Sequence, residues 1–428
     1  MSKAQESQHH WKEVAIGSVA DVEVGGTPST AVPSFWGGNI PWMSSGEVNQ
    51  YRISSVQGRI TQSGLRSSNA KFINPPAVAL ALAGQGKTRG TVALTLISLC
   101  TNQSVALIKG HDGLLDTVFL FHALDARYDE LRTRSAGGGR AGLSKSIIEA
   151  IPIALPELIE QQKIAEIFDV IDKAIALTNT HITKLKKAKA GLLHDLLTRG
   201  IDDHGELRDY TRNPELFKRS PLGIIPKDWD VLSVEEILEG RPKNGYSPKE
   251  ANEWTGKLML GLGCLTPNGF QPCQLKNAPA NDLKTNAALL RDGDFLISRS
   301  NTRELVGLVG VYKDIGIPTI YPDLMMRLTP NNRITVHFLE LLMKHEPVRR
   351  QLTGTAQGTS GSMVKINSKS VLSTVTVVPQ PEEQQRILQA IDESVNHVNL
   401  KNYYLEKLKL LKQGLMSDLL TGRVRVKI

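Results

Sequence analysis

Residues 160–198 read EQQKIAEIFDVIDKAIALTNTHITKLKKAKAGLLHDLLT, and residues 383–421 read EQQRILQAIDESVNHVNLKNYYLEKLKLLKQGLMSDLLT. The two stretches align without a gap at an offset of 223 residues, and 17 of their 39 positions are identical. The segments that precede the two copies differ almost completely. An internal repeat at a fixed spacing outranks local patterns as a guide to architecture. It predicts two unlike globular segments, each followed by the same helix.

Apolar residues in both copies recur every seven residues, in two rows that polar residues such as Lys189 and Lys412 interrupt. Two stripes of this kind predict long helices paired as a coiled coil. Such helices would each be on the order of 58 Å long. Because one chain carries both copies, we expect them to pair antiparallel with each other; pairing with another subunit is the alternative. The predicted pairing residues are Ile164, Phe168, Ile171, Ile175, Ile182, Leu185, Leu192, Leu196, Ile387, Ile391, Val398, Leu405, Leu408, Leu415 and Leu419.

The two globular segments are predicted to mix helices and strands. Each begins near a tryptophan, Trp11 or Trp229, and continues through short apolar stretches bounded by turn residues. Such stretches, for example residues 77–82 and 294–298, favour strands. The fold class is therefore α+β: two α/β domains, each followed by one copy of the helix, in an internal pseudo-two-fold repeat. The expected bounds are 1–155 for the first domain, 156–200 for the first helical spacer, 201–226 for a linker, 227–379 for the second domain and 380–428 for the second helical spacer.

The composition is that of an ordinary soluble protein with a basic bias. The net charge is +8 and the pI is near 9.2, which favours a polyanionic partner without requiring one. The cysteines, Cys100, Cys264 and Cys273, have no histidine pair nearby, so we expect neither a zinc site nor a disulfide framework. No signal peptide precedes Trp11 and no apolar run reaches about 18 residues, so we expect a cytoplasmic protein.

Sequence motifs that could carry catalysis are incomplete. Gly86-Lys87-Thr88 resembles the end of a phosphate-binding loop, but Ala81 stands where that loop requires glycine, and residues 92–96 look like a strand instead of a helix. Asn74-Pro75-Pro76 resembles the opening of an adenine methyltransferase motif, but Ala77 replaces its stacking aromatic residue. The chain has no Glu-x-Lys nuclease triplet, HExxH pair or Cys/His cluster. We therefore expect no catalytic centre and no bound metal.

Loops rich in Gly, Ser, Thr, Asn, Gln and Arg recur in both halves, and such side chains contact phosphates and base edges in DNA. Taken singly, each loop is more readily explained as a solvated turn. Two sets of them, joined to one pair of helices, favour binding to DNA. The candidate DNA-binding residues of the first half are Thr27, Ser44, Ser45, Lys87, Thr88, Arg89, Asn102, Gln103, Arg140 and Lys145. Those of the second half are Lys243, Asn244, Tyr246, Arg299, Ser300, Thr302, Arg303, Gln357, Thr359, Ser360 and Lys365.

These features together resemble the specificity subunits of type I restriction–modification systems over nearly the whole chain. The resemblance rests on the phrases VGGTPS at residues 24–29 and WGGNIPW at residues 36–42, and on the Glu-Gln-Gln openings of the two helices. It also rests on their Leu-Leu-Thr-Arg-Gly and Leu-Leu-Thr-Gly-Arg endings. In the second half, residues 225–229 and 293–299 are similar to further phrases of the family. One departure is that residues 240–243 read GRPK in place of the Gly-Gly-Thr-Pro opening.

The resemblance implies a subunit that reads DNA and has no enzyme activity of its own. Each recognition domain would read one half of a bipartite site in double-stranded DNA, and the helices would set the spacing and dock two modification (methyltransferase) subunits. Restriction (motor-nuclease) subunits would complete a type I site-specific deoxyribonuclease complex. S-adenosylmethionine, ATP and Mg²⁺ are expected only in those partner subunits. The alternative is a stand-alone DNA methyltransferase or nuclease fused to a recognition domain, for which the chain leaves no stretch free.

Overall fold

The computed structural model describes residues 11–84, 86–134, 142–358 and 363–427. The chain divides into two compact units: Met1–His181 together with Lys401–Ile428, and Ile182–Leu400. Each unit therefore contains one globular domain, the first half of the helix that follows that domain, and the second half of the other repeated helix. The sequence predicts a different division, in which residues 156–200 and 380–428 form two separate helical spacers.

The globular domain of the first unit mixes short strands and helices. Its strands are β1 Lys12–Ala15, β2 Ala20–Val24, β3 Trp36–Met43, β4 Arg52–Ile53, β5 Gly58–Ile60, β6 Ala77–Ala81, β7 Val92–Thr95, β8 Cys100–Thr101, β9 Val105–Gly110 and β10 Pro152–Leu155. Its helices are α1 Gln62–Arg66, α2 Thr117–Asp125, α3 Tyr128–Thr133 and α4 Lys145–Glu149, and the long helix α5 Leu158–Thr198 follows. The main sheet has the order β2-β9-β6-β7-β4, and a smaller one has the order β5-β3-β8.

The predicted strand at residues 77–82 is present as β6. Every residue of β6 is buried, because its two faces pack against different cores. Val78 and Leu80 belong to one core, and Ala79 and Ala81 belong to the other. A strand that is covered on both faces has a continuous apolar sequence, which explains why this stretch shows no alternation.

The second unit is built in a similar way from shorter strands. Its strands are β11 Phe217–Ser220, β12 Gly223–Pro226, β13 Asp230–Ser233, β14 Lys243–Asn244, β15 Leu258–Leu260, β16 Leu265–Thr266, β17 Gly269–Phe270, β18 Leu275–Asn277, β19 Phe295–Ser298, β20 Ser300–Asn301, β21 Val309–Val311, β22 Thr319–Ile320, β23 Met325–Leu328, β24 Val364–Lys365 and β25 Val375–Val378. Its helices are α6 Val336–Lys344, α7 Glu346–Gly354 and α8 Ser368–Leu372, and the long helix α9 Pro381–Leu419 follows. The larger sheets have the orders β14-β23-β19-β21 and β18-β15-β22. The predicted strand at residues 294–298 is present as β19.

The stretch predicted as a linker, residues 201–226, carries more structure than a connecting loop. It contains the antiparallel hairpin of β11 and β12. Ile201 and Ile225 are buried in the main core of the second unit. Although most of this stretch is polar, its few buried apolar residues hold it against the globular domain of the second unit.

The two copies of the repeat form the long helices α5 and α9, as the sequence predicts, and they run antiparallel within each unit. In the first unit, Ile164 near the start of α5 belongs to the same core as Leu419 at the end of α9. In the second unit, Leu196 near the end of α5 belongs to the same core as Ile387 near the start of α9. The predicted pairing residues that are buried are Ile164, Phe168, Ile171, Ile182, Leu196, Ile387, Ile391, Val398, Leu405, Leu408 and Leu419, and those that are half-buried are Ile175, Leu185, Leu192 and Leu415.

The interruption of the apolar row at Lys412 has a structural cause within the first unit. The Lys412 ammonium lies 2.8 Å from a carboxylate oxygen of Asp172 and 3.4 Å from one of Asp125. It also donates a hydrogen bond of 2.5 Å to the Tyr51 hydroxyl. Burial raises the pKa of Tyr51, and the two neighbouring carboxylates raise it further, so the phenol stays protonated. The lysine therefore joins the helix pair to the globular domain.

Candidate nucleic-acid interface

A buried carboxylate fixes the first globular domain to the start of α5. Strands β1 and β10 pair antiparallel with Lys12 opposite Leu155, which brings Trp11 to the first turn of α5. The indole Nε1 of Trp11 donates to Glu160 at 3.3 Å, and Arg425 donates to both oxygens of that carboxylate at 2.7 and 2.6 Å. The Glu160 side chain is 0% exposed. Burial raises the pKa of Glu160, but the contacts with Arg425 outweigh burial and leave the pKa below its usual value.

The second unit repeats this junction with residues from other places in the chain. Strands β13 and β25 pair with Asp230 opposite Val378, which brings Trp229 to the start of α9. The indole Nε1 of Trp229 donates to Glu383 at 3.0 Å, and Arg208 donates to the two oxygens of the carboxylate at 2.5 and 3.1 Å. The arginine of the first unit follows α9, whereas that of the second unit follows α5. Each junction therefore joins one domain, the helix after it and the segment that follows the other helix.

The glutamine that follows the glutamate orients a short helix in each domain. The Gln161 side-chain oxygen accepts a hydrogen bond of 2.8 Å from the backbone N–H of Asp116, the residue that caps α2. The Gln384 oxygen accepts one of 3.1 Å from the N–H of Thr335, which caps α6. Sequence reasoning recognised the Glu-Gln-Gln phrase as a helix opening and assigned neither residue a role. The signal was available, because two adjacent polar residues occupy the same place in both copies.

Candidate loops of the first unit project from one end of its main sheet. The registers of β2 with β9 and of β9 with β6 place residues 25–27, residues 102–104 and the turn between β6 and β7 at this end. The N–H of Leu143 donates to the carbonyl of Leu82 at 2.9 Å, which adds the segment before α4. The sheet therefore brings Thr27, Asn102 and Gln103 together with the Lys87–Arg89 turn and Lys145.

A polar cleft of about 540 Å³ opens beside the loop at residues 25–27. The Thr27 hydroxyl donates a hydrogen bond of 2.5 Å to the side-chain oxygen of Gln103 across it. A Cβ at Gly25 would stand 2.2 Å from the carbonyl oxygen of Thr101, so only glycine allows this approach. The residues that line the cleft are Gly25, Gly26, Thr27, Arg66, Ser67, Ser68, Asn69 and Gln103. Sequence reasoning missed the four residues from Arg66 to Asn69, although their polar run was visible.

Some candidate DNA-binding residues of the first unit make contacts within the protein that stabilise its fold. The Ser44 hydroxyl and N–H both donate to Glu47, at 3.1 and 2.9 Å, and so form a capping box. Lys145 lies 3.7 Å from Glu23 and 3.8 Å from Glu149, which offsets part of its charge. These groups shape the surface at the end of the sheet and are less available to a ligand than Thr27 or Gln103.

Candidate segments of the second unit lie against one another near the start of β23. The N–H of Gly245 donates to the carbonyl of Met325 at 3.2 Å. The N–H of Arg299 donates to the carbonyl of Leu324 at 2.8 Å, and the carbonyl of Arg299 accepts from Ile366 at 2.9 Å. The segments around Lys243, Arg299 and Lys365 therefore lie side by side, although about 120 residues of chain separate the first from the last.

The candidate residues of the second unit differ in how far their side chains are exposed to solvent. Ser300 is 1% exposed and its side chain lies inside the domain, so we no longer include it among the residues that could reach a ligand. The half-buried candidates are Tyr246, Arg299 and Thr302, and the exposed candidates are Lys243, Asn244, Arg303, Gln357 and Lys365. Arg140, Thr359 and Ser360 lie outside the described residues.

The described part of the chain contains neither a metal-binding cluster nor a membrane-spanning helix. No group of three or more His, Cys, Asp and Glu residues there could hold a metal ion. No helix there is both long enough and apolar enough to cross a membrane.

Comparison with known proteins gives a consistent result. Residues 8–187 match the family model described as the type I restriction modification DNA specificity domain. The chain is 25% identical to the type I restriction enzyme MjaVIII specificity subunit of Methanocaldococcus jannaschii over 97% of this chain and 93% of that one. It is 22% identical to the EcoKI specificity subunit of Escherichia coli over 69% of this chain and 62% of that one. The fold is similar to the crystal structure of a type I system S subunit from M. genitalium, with a TM-score of 0.55 at 16% identity over 97% of both chains.

Proposed function

We propose that the chain reads DNA for a type I restriction–modification complex and leaves catalysis to other subunits. The proposal follows from its place in the family of type I restriction–modification specificity subunits. Each globular domain reads one half of a bipartite site. The helices α5 and α9 hold the two domains and set the spacing between the half-sites.

The observation that carries this proposal is the duplicated junction. Trp11, Glu160 and Arg425 in one unit correspond to Trp229, Glu383 and Arg208 in the other, in type and in contacts. The polar surfaces of the two domains, in contrast, are built from different residues. A protein that reads two different DNA sequences on one scaffold needs the same attachment for both domains and a different DNA-facing surface on each.

The partners follow from the separation of DNA recognition from catalysis. Two modification subunits dock on the helices and bring S-adenosylmethionine, and restriction subunits bring ATP and Mg²⁺. The complex acts on cytoplasmic DNA. The net charge of +8 supports attraction to the phosphate backbone, which supplies affinity but no sequence information.

The test is to co-express the chain with its modification subunit and to map methylated bases across the host genome. We expect methylation in one motif with two defined halves and an unspecified spacer. The modification subunit alone, as the control, should leave the genome unmethylated. Purified chain alone should neither bind S-adenosylmethionine nor methylate DNA. Methylation by the chain alone would instead support a methyltransferase fused to a recognition domain, and an undivided motif would contradict the reading of two half-sites.

A further inference from the structure

The polar cleft beside residues 25–27 carries a cation that the protein itself does not use. Arg66, at the end of α1, is exposed and lines this cleft. It makes no hydrogen bond or ion pair with the residues that the structure describes. Among the described residues that line the cleft, Arg66 is the one charged side chain. The cleft therefore offers a guanidinium group whose hydrogen-bond donors are available to a ligand.

Close packing fixes the two walls of the cleft against each other. A Cβ at Gly26 would stand 2.7 Å from the backbone nitrogen of Ala70, so the loop at residues 25–27 lies directly against the segment that follows α1. The indole Nε1 of Trp42 donates a hydrogen bond of 3.0 Å to the carbonyl of Gly26. Because these contacts hold the backbone in place, binding would cost little ordering of the two walls.

Backbone N–H groups around the cleft are already hydrogen-bonded within the protein. Those of Gly25 and Gly26 donate to the carbonyls of Val105 and Thr101 at 3.1 and 2.8 Å. The N–H of Ser67 donates to a carbonyl of α1 at 2.9 Å. A backbone loop that binds phosphate needs such groups to be free and to point at the anion. Recognition at this loop therefore falls to side chains, and side chains are what read base edges in DNA.

Thr27 determines which end of the Gln103 carboxamide is available. The Thr27 hydroxyl donates to the side-chain oxygen of Gln103 at 2.5 Å, whereas the amide nitrogen has no hydrogen-bond partner among the described residues. A glutamine that reads adenine uses both ends: its oxygen accepts from N6 and its nitrogen donates to N7. With its oxygen held by Thr27, Gln103 presents a donor instead.

We infer that this cleft reads a guanine in the half-site of the first domain. The Arg66 guanidinium donates to O6 and N7, the two acceptors that guanine presents in the major groove. Gln103 excludes adenine at the same place, because its amino group would face the N6 amino group and leave donors unpaired on both sides. Thr27 is a positioning residue that acts through Gln103. The inference rests on the proposed function, since it takes DNA as the ligand.

The sequence of the second domain does not repeat this arrangement. Residues 240–243 read GRPK where the first domain has its Gly-Gly-Thr-Pro phrase, so the second domain lacks the threonine that holds the glutamine. Changes at the cleft should therefore alter one half-site alone.

The experiment measures how the complex with the modification subunit binds duplexes that differ at one base pair of the mapped motif. At one guanine of the half-site that depends on residues 11–155, Arg66→Ala should lower the preference for guanine over the other bases by about 5- to 150-fold. Replacement of that guanine by 7-deazaguanine, which lacks the N7 acceptor, should weaken binding by the wild type but not by Arg66→Ala. Inosine keeps O6 and N7, so both proteins should bind it as they bind guanine.

Thr27→Val tests the role of Gln103. Valine keeps the shape of threonine without the hydroxyl, so the carboxamide can turn its oxygen towards the base. We expect adenine to be accepted at the guanine position, with guanine still read by Arg66. Rejection of adenine as strong as in the wild type would overturn the role given to Thr27 and Gln103.

Controls separate a base contact from a phosphate contact and from misfolding. Lys71 is an exposed cation that does not line the cleft, so Lys71→Ala should leave base preference unchanged. Arg66→Lys keeps the charge but loses the planar fork, and it should lose the guanine preference while the salt dependence stays the same. The melting temperature of each complex reports folding.

Two results would overturn the inference and leave the proposed function intact. One is a first half-site without guanine on either strand. The other is an equal loss of affinity for all sequences in Arg66→Ala, with a shallower salt dependence, which would mean that Arg66 contacts phosphate. Absence of sequence-specific binding by the wild-type complex would overturn the proposed function itself.

Discussion

The indole of Trp229 donates a hydrogen bond of 3.0 Å to the buried carboxylate of Glu383, across 154 residues of chain. Arg208 completes the arrangement, and its side chain is only 13% exposed. The Glu383→Ala variant would leave this guanidinium with the carboxylate of Asp228 as its remaining partner, at 3.1 Å, and the Asp228 side chain is 56% exposed. Breaking a buried ion pair by removing one partner costs up to about 3–5 kcal/mol, and Asp228 offsets part of that cost, so we expect a clear fall in the thermal stability of the complex.

The matched control for this prediction is an exposed ion pair in the same unit. Arg386 lies 2.8 Å from Asp203, whose side chain is 90% exposed. Exposed pairs contribute about 0–1 kcal/mol, so Asp203→Ala should change little. Equal effects of Asp203→Ala and Glu383→Ala in scanning calorimetry would show that the junction does not hold the second domain.

Acid should weaken the first unit in part through Glu130. Arg127 and Arg134 each donate to this carboxylate at 2.6 Å, and the hydrogen bond from Arg127 is the main cause that lowers its pKa from 4.5 to about 2. A lowered carboxyl pKa contributes stability above the unfolded value of 4.5, and this stability is lost as the pH falls towards about 2. Because the side chain is 35% exposed, we expect only about 1 kcal/mol.

The test of this pH dependence compares the wild type with Glu130→Gln in urea unfolding. The variant should be less stable near neutral pH, and the difference should shrink as the pH falls below 4.5. A difference that stays constant over that range would mean that the carboxylate charge contributes nothing to stability.

Truncation of Arg299 or Arg303 should weaken DNA binding by the second domain. A side chain that contacts a guanine edge contributes about 1–3 kcal/mol and discriminates one base pair. If the contact is to phosphate, all sequences should weaken together and the salt dependence should become shallower. Binding of randomised DNA by the complex distinguishes the two cases. Arg212, which is 84% exposed in the stretch after α5, is the control and should have no effect on sequence preference.

Longer helices should lengthen the recognised site. Insertion of one heptad into both α5 and α9 adds about 10 Å. At about 3.4 Å for each base pair, this corresponds to roughly three more unspecified base pairs between the half-sites. Methylated-motif mapping measures the spacer, and a functional variant with the original spacer would show that the helices do not set it.

The sequence predicted the repeated helices, but it did not show which side chains of the globular domains lie together at the surface. Periodicity gave α5, α9 and their pairing, because every seventh position of these helices faces the same seam. It could not give the partners of Lys412, since Tyr51 and Asp172 meet it only through the tertiary fold. Contacts between distant parts of a chain leave no local pattern.

The candidate surfaces show the same limit in more detail. Polar composition identified Thr27 and Gln103, which meet at the cleft. It could not separate them from Ser300, which has the same chemistry but is buried. The Arg66–Asn69 run was overlooked because nothing in the sequence places it beside Gly25, and only the fold brings the two together.

If the two domains read DNA independently on one pair of helices, then exchanging one domain should change one half-site alone. Residues 11–155 should be replaced by the corresponding domain of a relative that has a tryptophan at the position of Trp11, so that the Glu160 junction and both helices are kept. Mapping of the methylated motif should then show one half-site changed, with the other half-site and the spacer unchanged. A change in both half-sites, or an unchanged motif from an active complex, would show that the two domains do not read DNA independently.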